Sequence, residues 1–183
     1  MQTALLMVDV QNDYFPGGKN ELAGPIEAGR NAGKLLGAFR ERRMPAVHVR
    51  HVSVRPGATF FLPGTPGAEI RDEVRPLAGE TVIVKHHPNS FRETELLARL
   101  RETEVGRLVA CGMMTHMCVD STVRAAYDHG FEVVLAGDAC ATKDLAFDGR
   151  TVAAEDVQRA FLSAINGTFA KVATTELILN TIR

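Results

Sequence analysis

The sequence predicts an α/β domain built on a parallel sheet, and three observations predict it. A chain of 183 residues with 45% hydrophobic content is long enough to bury one sizeable core and short enough to be a single domain, taken as residues 1–183. Six short apolar runs, rich in Val and Leu and mostly without strict alternation, suit strands covered on both faces. Helix-like stretches separate several of these runs, which is the pattern of parallel strands joined by helical crossovers.

The first run, "ALLMVDV" (4–10), reads as a buried strand that Asp9 interrupts. It is too short, and lacks the preceding basic residues, to be a signal peptide or a membrane span. A helix over about 25–43 leads to "PAVHVRHVS" (45–53), and a long loop, "VRPGATFFLPGTPGAEI" (54–70), follows, punctuated by Pro and Gly around Phe60 and Phe61. "TVIVKH" (81–86) is the third strand, 92–104 a helix and "RLVACG" (107–112) the fourth strand. The next helix spans 115–129, with Thr115 placed to cap it and Gly130 to end it. "EVVLAGD" (132–138) is the fifth strand, and 141–154 is an irregular stretch with an Asp148-Gly149 turn signal. A helix over 155–166 and a last strand, "AKVATT" (170–175), complete the chain. There is no internal repeat or low-complexity tract.

A net charge of −1 with no block of like charges excludes the electrostatic footprint of a nucleic-acid or anionic-membrane binder. The partners expected are a small-molecule substrate and further copies of the chain, as a homodimer or homotetramer. Three cysteines, Cys111, Cys118 and Cys140, cannot all pair within one chain and fit the reduced thiols of a cytoplasmic protein.

In an open parallel sheet, ligands sit beyond the carboxyl ends of the strands. Asp9 ends the first run, Lys85 the third, and Cys118 follows the fourth at a helix start. A helix N-terminus and a nearby ammonium both favour thiolate, so Cys118 is expected to have a lowered pKa. A carboxylate beside it would pass its proton to a leaving amine while backbone N–H groups hold the oxyanion. Cys111 and Cys140 lack this setting and read as packing residues. No Gly-x-Gly-x-x-Gly or phosphate-binding loop follows the first strand, which disfavours a nucleotide-binding module.

The segments "LLMVDVQNDYF", "VIVKHHPNSF" and "VACGMMTHMCVDSTVRAAYDHGFEVVLAGDACAT" resemble the signature segments of the isochorismatase-like cysteine hydrolases, which include nicotinamidases and N-carbamoylsarcosine amidohydrolase. The resemblance implies a three-layer α/β/α fold with a six-stranded parallel sheet of order 3-2-1-4-5-6. It implies Cys118 as nucleophile, Asp9 as general base and acid, and Lys85 as the charge that orients the pair. A non-proline cis peptide between Met113 and Met114 is also implied, aiming the Met114 N–H, with that of Cys118, at the oxyanion. The expected pocket walls are Tyr14, Phe60, Phe61, Phe91, Met113, His116 and Met117.

Nicotinamidases of this family hold a divalent ion through an Asp-x-His pair after the second strand, where this sequence has His51 and Ser53. The acidic ligand is missing, so neither a metal nor a cofactor is expected. No histidine is assigned a catalytic role. Isochorismatases proper protonate a vinyl ether and can lack the cysteine, so Cys118 favours cleavage of a C–N bond in an amide, ureide or carbamoyl compound. The alternatives are a vinyl ether hydrolase and a non-catalytic ligand-binding protein on the same fold.

Overall fold

The computed structural model describes residues 2–182. Eight strands and five helices follow the chain as β1 (Gln2–Val8), α1 (Pro25–Glu41), β2 (Ala46–His51), β3 (Thr81–Lys85), α2 (Leu96–Glu102), β4 (Val105–Met113), α3 (Asp120–Asp128), β5 (Glu132–Ala141), β6 (Leu145–Phe147), β7 (Arg150–Val152), α4 (Ala154–Ile165), β8 (Lys171–Ala173) and α5 (Thr175–Thr181). Six strands form one sheet in the order β3-β2-β1-β4-β5-β8, and every pairing in it is parallel. Counting sheet strands alone, this is 3-2-1-4-5-6.

Period-two alternation explains why both faces are apolar. Leu5 and Met7 of β1 pack with Leu35, Leu36 and Phe39 of α1 and Ile178 of α5. Ala4, Leu6 and Val8 point the other way, into a core with Leu96 and Leu100 of α2, Val123 and Ala126 of α3 and Ile165 of α4. Helices on both faces make the three layers.

Three expectations are corrected. The 141–154 stretch holds the antiparallel hairpin β6–β7, whose turn residues Asp148 and Gly149 both have positive φ, 50° and 71°, as a two-residue hairpin turn requires. The C-terminal α5 follows the last strand where the sequence pattern predicts no helix; seven residues carry little periodicity, and its start is held by Thr174, which caps Leu177, and by Asp138, which accepts from the Thr175 N–H and hydroxyl. Thr115 does not cap the helix after it, because its hydroxyl donates to the Ala141 carbonyl. Gly130 does end α3, with a φ of 84°. Among the described residues, no helix is long and apolar enough to cross a membrane.

Candidate active site

The site lies beyond the carboxyl ends of β1, β3 and β4. Asp9, the residue after β1, has a φ of 52°, so the chain leaves strand geometry there and turns the carboxylate out of the sheet. Lys85 is the last residue of β3. Its ammonium is 2.7 Å from Asp9 Oδ2, with both side chains sealed from solvent.

Cys118 sits in one wide π-helical turn, Thr115–Val119, that links β4 to α3. The turn closes through the Val119 N–H, which donates to the Met114 carbonyl at 3.2 Å. Gly112 makes the approach to it possible: at a φ of 133° it lies so close to β1 that a Cβ would overlap the Val8 carbonyl. The peptide bond between Met113 and Met114 is cis.

Donor atoms of Asp9, His51 and Cys118 all lie within 4.8 Å of one another. Burial is the dominant influence on the Cys118 thiol and the adjacent Asp9 carboxylate adds to it, so its pKa is pushed up despite the opposing pull of Lys85. This corrects the expectation of a lowered thiol pKa: the helix-start argument is local, whereas desolvation is set by everything packed around the sulfur. Asp9 is likewise raised from 3.8 by burial, against the lowering effect of Lys85. Burial opposes the charge on Lys85, yet Asp9 and Cys118 outweigh it and its pKa is raised. The result is a thiol that burial favours in its protonated form, beside a carboxyl on which burial and the Lys85 ammonium pull in opposite directions.

Of the expected wall residues, Tyr14 is buried, and burial first, with any negative charge that develops on Cys118 or Asp9 adding to it, pushes its phenol pKa well up. Its ring centroid is 6.0 Å from that of Phe60 and 4.6 Å from that of Phe61. Phe61 is wholly enclosed, as are Met113 and the Asp9 and Lys85 side chains, and its ring lies 6.0 Å from that of His51. The loop carrying Phe60 and Phe61 is fastened by Asp13, whose Oδ2 accepts from the Phe61 N–H at 2.6 Å and Oδ1 from the Lys19 N–H at 3.1 Å. His116 is half-buried, its Nδ1 on the Thr142 hydroxyl, and Met117 is exposed; both are in the turn that carries Cys118. Phe91 departs from the wall: its ring packs 5.0 Å from His129 and 6.1 Å from Phe131, drawn to apolar partners past the C-terminal end of α3. Cys111 and Cys140 are buried, and burial raises both, Cys140 to about 12.

Two residues escaped the sequence reading. His51, assigned no role, faces Lys85 across the β2–β3 pairing and puts Nδ1 3.1 Å from Lys85 Nζ. Gln11 clamps the His51 backbone, its Nε2 donating to the His51 carbonyl and its Oε1 accepting from the His51 N–H, both at 2.8 Å. The signal was available in part, since parallel pairing of the second and third strands sets their last residues side by side.

A parallel sheet of this order, with its polar cluster beyond the strand ends, defines an open α/β fold carrying an Asp, Lys and Cys site. The isochorismatase domain model matches residues 3–177, and the chain belongs to the isochorismatase family of hydrolases. The Bacillus subtilis isochorismatase family protein YddQ is 52% identical over 179 residues, 98% of this chain and 99% of that one. A streptothricin hydrolase of Streptomyces noursei is 38% identical over 144 residues, 78% of this chain and 50% of that one. The crystal structure of an isochorismatase hydrolase from Oleispira antarctica superposes with a TM-score of 0.95 at 47% identity, covering 98% of this chain and 96% of that one.

The site does not suit the divalent ion of the family's nicotinamidases. Its His, Asp and Cys donors surround Lys85, whose ammonium lies 2.7 Å from Asp9 and 3.1 Å from His51. A dication placed among them would face that fixed positive charge at contact range.

Proposed function

We propose that the protein is a cysteine hydrolase that cleaves the C–N bond of a small amide, ureide or carbamoyl compound through a Cys118 thioester, without a metal. The observation that carries this reading is the sealed ion pair of Asp9 and Lys85 with the Cys118 sulfur within 4.8 Å of the Asp9 carboxylate. Burying an ion pair costs several kcal/mol per ion before mutual attraction is counted, so its place beside a thiol argues for use in chemistry.

In this mechanism Cys118 gives its proton to Asp9 as sulfur attacks the substrate carbonyl, and Lys85 stabilises the negative charge as it moves. The N–H groups of Met114 and Cys118 receive the oxyanion. Asp9 then protonates the departing nitrogen as the C–N bond breaks, leaving the acyl group on sulfur. Asp9 next removes a proton from water as it attacks the thioester, and the returning proton restores the thiol as the acid leaves. A relative named for hydrolysis of streptothricin is in keeping with hydrolytic use of this site. The three buried thiols, all unpaired, suit a reducing cytoplasm.

The test is a screen for ammonia or amine release over amides, ureides and carbamoyl compounds, followed by Cys118→Ala on the best substrate. Turnover should fall at least about a thousandfold, the scale seen when a nucleophile is removed, with the fold retained. A vinyl ether hydrolase would act by protonation from Asp9 and survive the substitution, so full turnover by Cys118→Ala would refute the thioester.

A further inference from the structure

We infer that His51 is a positioning residue of this site, a neutral acceptor whose Nδ1 holds the Lys85 ammonium against Asp9 and Cys118. The inference rests on the hydrolase reading above and adds a member to it. The Lys85 ammonium lies beside Cys118 and within hydrogen-bond distance of three further groups: Asp9 Oδ2 at 2.7 Å, His51 Nδ1 at 3.1 Å and the His87 carbonyl at 3.0 Å. Lysine only donates, so His51 Nδ1 must be bare and the ring proton must be on Nε2.

The surroundings hold the ring in that state. Burial first, then the positive charge of Lys85, with His86, His87 and Arg55 adding to it, lowers His51 to about 3. The ring is also fixed in place. Strand register sets His51 beside Lys85, Gln11 grips its backbone on both sides, and the Phe61 ring lies 6.0 Å away.

The need for a neutral acceptor follows from the reaction itself. When Asp9 has taken the thiol proton, Lys85 no longer faces a carboxylate, and His51 and the His87 carbonyl are the neutral acceptors that keep its ammonium beside the sulfur. A second anion in place of His51 would draw the ammonium away from the sulfur at that moment; a neutral imidazole keeps it there without competing for its charge.

The probe is iodoacetamide, with the full-length chain and the rate of Cys118 alkylation followed by peptide mass at pH 8. His51→Leu keeps bulk and removes the acceptor, whereas His51→Asn restores an acceptor oxygen on a short side chain. Alkylation should slow about tenfold or more in His51→Leu, equivalent to one pH unit of lost thiolate, and return to within about threefold of the parent in His51→Asn. Unchanged alkylation in folded His51→Leu, or equal slowing in both variants, would overturn the role. Should His51→Leu fail to fold, nitrogen NMR of labelled histidine in the unaltered protein, with the His51 ring assigned through its own backbone, decides: a His51 ring that stays neutral and protonated on Nε2 from pH 5 to 8 supports the inference, and a His51 ring titrating near 6.5 or protonated on Nδ1 ends it. Alkylation and NMR need no substrate, so failure of the thioester mechanism, read from Cys118→Ala turnover, is a separate result.

Discussion

Replacing Lys85 with methionine should make the protein's stability depend on pH in a way the parent's does not. The substitution leaves the Asp9 carboxylate buried with no cation at 2.7 Å, and breaking such a pair costs about 3–5 kcal/mol when the remaining group stays charged. Asp9 has an alternative, because its pKa is already raised from 3.8 by burial: without Lys85 it takes up a proton and stays protonated through neutral pH. The native state then binds one more proton than the unfolded chain. Stability must therefore fall as pH rises, by about 1.36 kcal/mol per unit. The sign follows from a raised native pKa, whose benefit is complete at low pH and lost with increasing pH.

Between pH 6 and pH 8 the gap between parent and Lys85→Met should widen by about 2.7 kcal/mol. Urea denaturation at fixed protein concentration, with both proteins measured across that range, reads this directly. The double variant Asp9→Asn, Lys85→Met has no buried carboxylate, so its gap should be flat with pH. A gap for Lys85→Met that changes by less than about 0.5 kcal/mol over the same range would mean that Asp9 is not held ionised by Lys85, and the proton transfers proposed for it would lose their basis.

Activity on the substrate found by the screen should survive exhaustive chelation; loss that zinc, iron or manganese restores would contradict the metal-free reading. Gly112→Ala should destabilise the chain by more than about 3 kcal/mol, because the added Cβ meets the Val8 carbonyl at a backbone angle that side chains rarely adopt; a normal urea midpoint would argue against the close approach of β1 and β4. The proposed homodimer or homotetramer is checked by light scattering in the micromolar range, where a monomer would exclude it.

Much of this protein was legible in its sequence because the governing physics is local. Apolar runs such as "ALLMVDV" mark strands wherever both faces must be buried, and the rule that ligands gather at strand ends was enough to pick Asp9, Lys85 and Cys118 as one group before their distances were known. Tertiary structure decided what depends on surroundings. Burial pushes the Cys118 thiol up because packing strips water from the sulfur, an effect larger than the pull of Lys85 that the sequence could reveal. Phe91 left the expected wall for Phe131, since an aromatic ring follows the available apolar partner and not its distance along the chain. His51 became part of the site only when β2 and β3 paired in register, because a hydrogen bond to Lys85, 34 residues away, is set by strand alignment, to which no spacing within either strand corresponds.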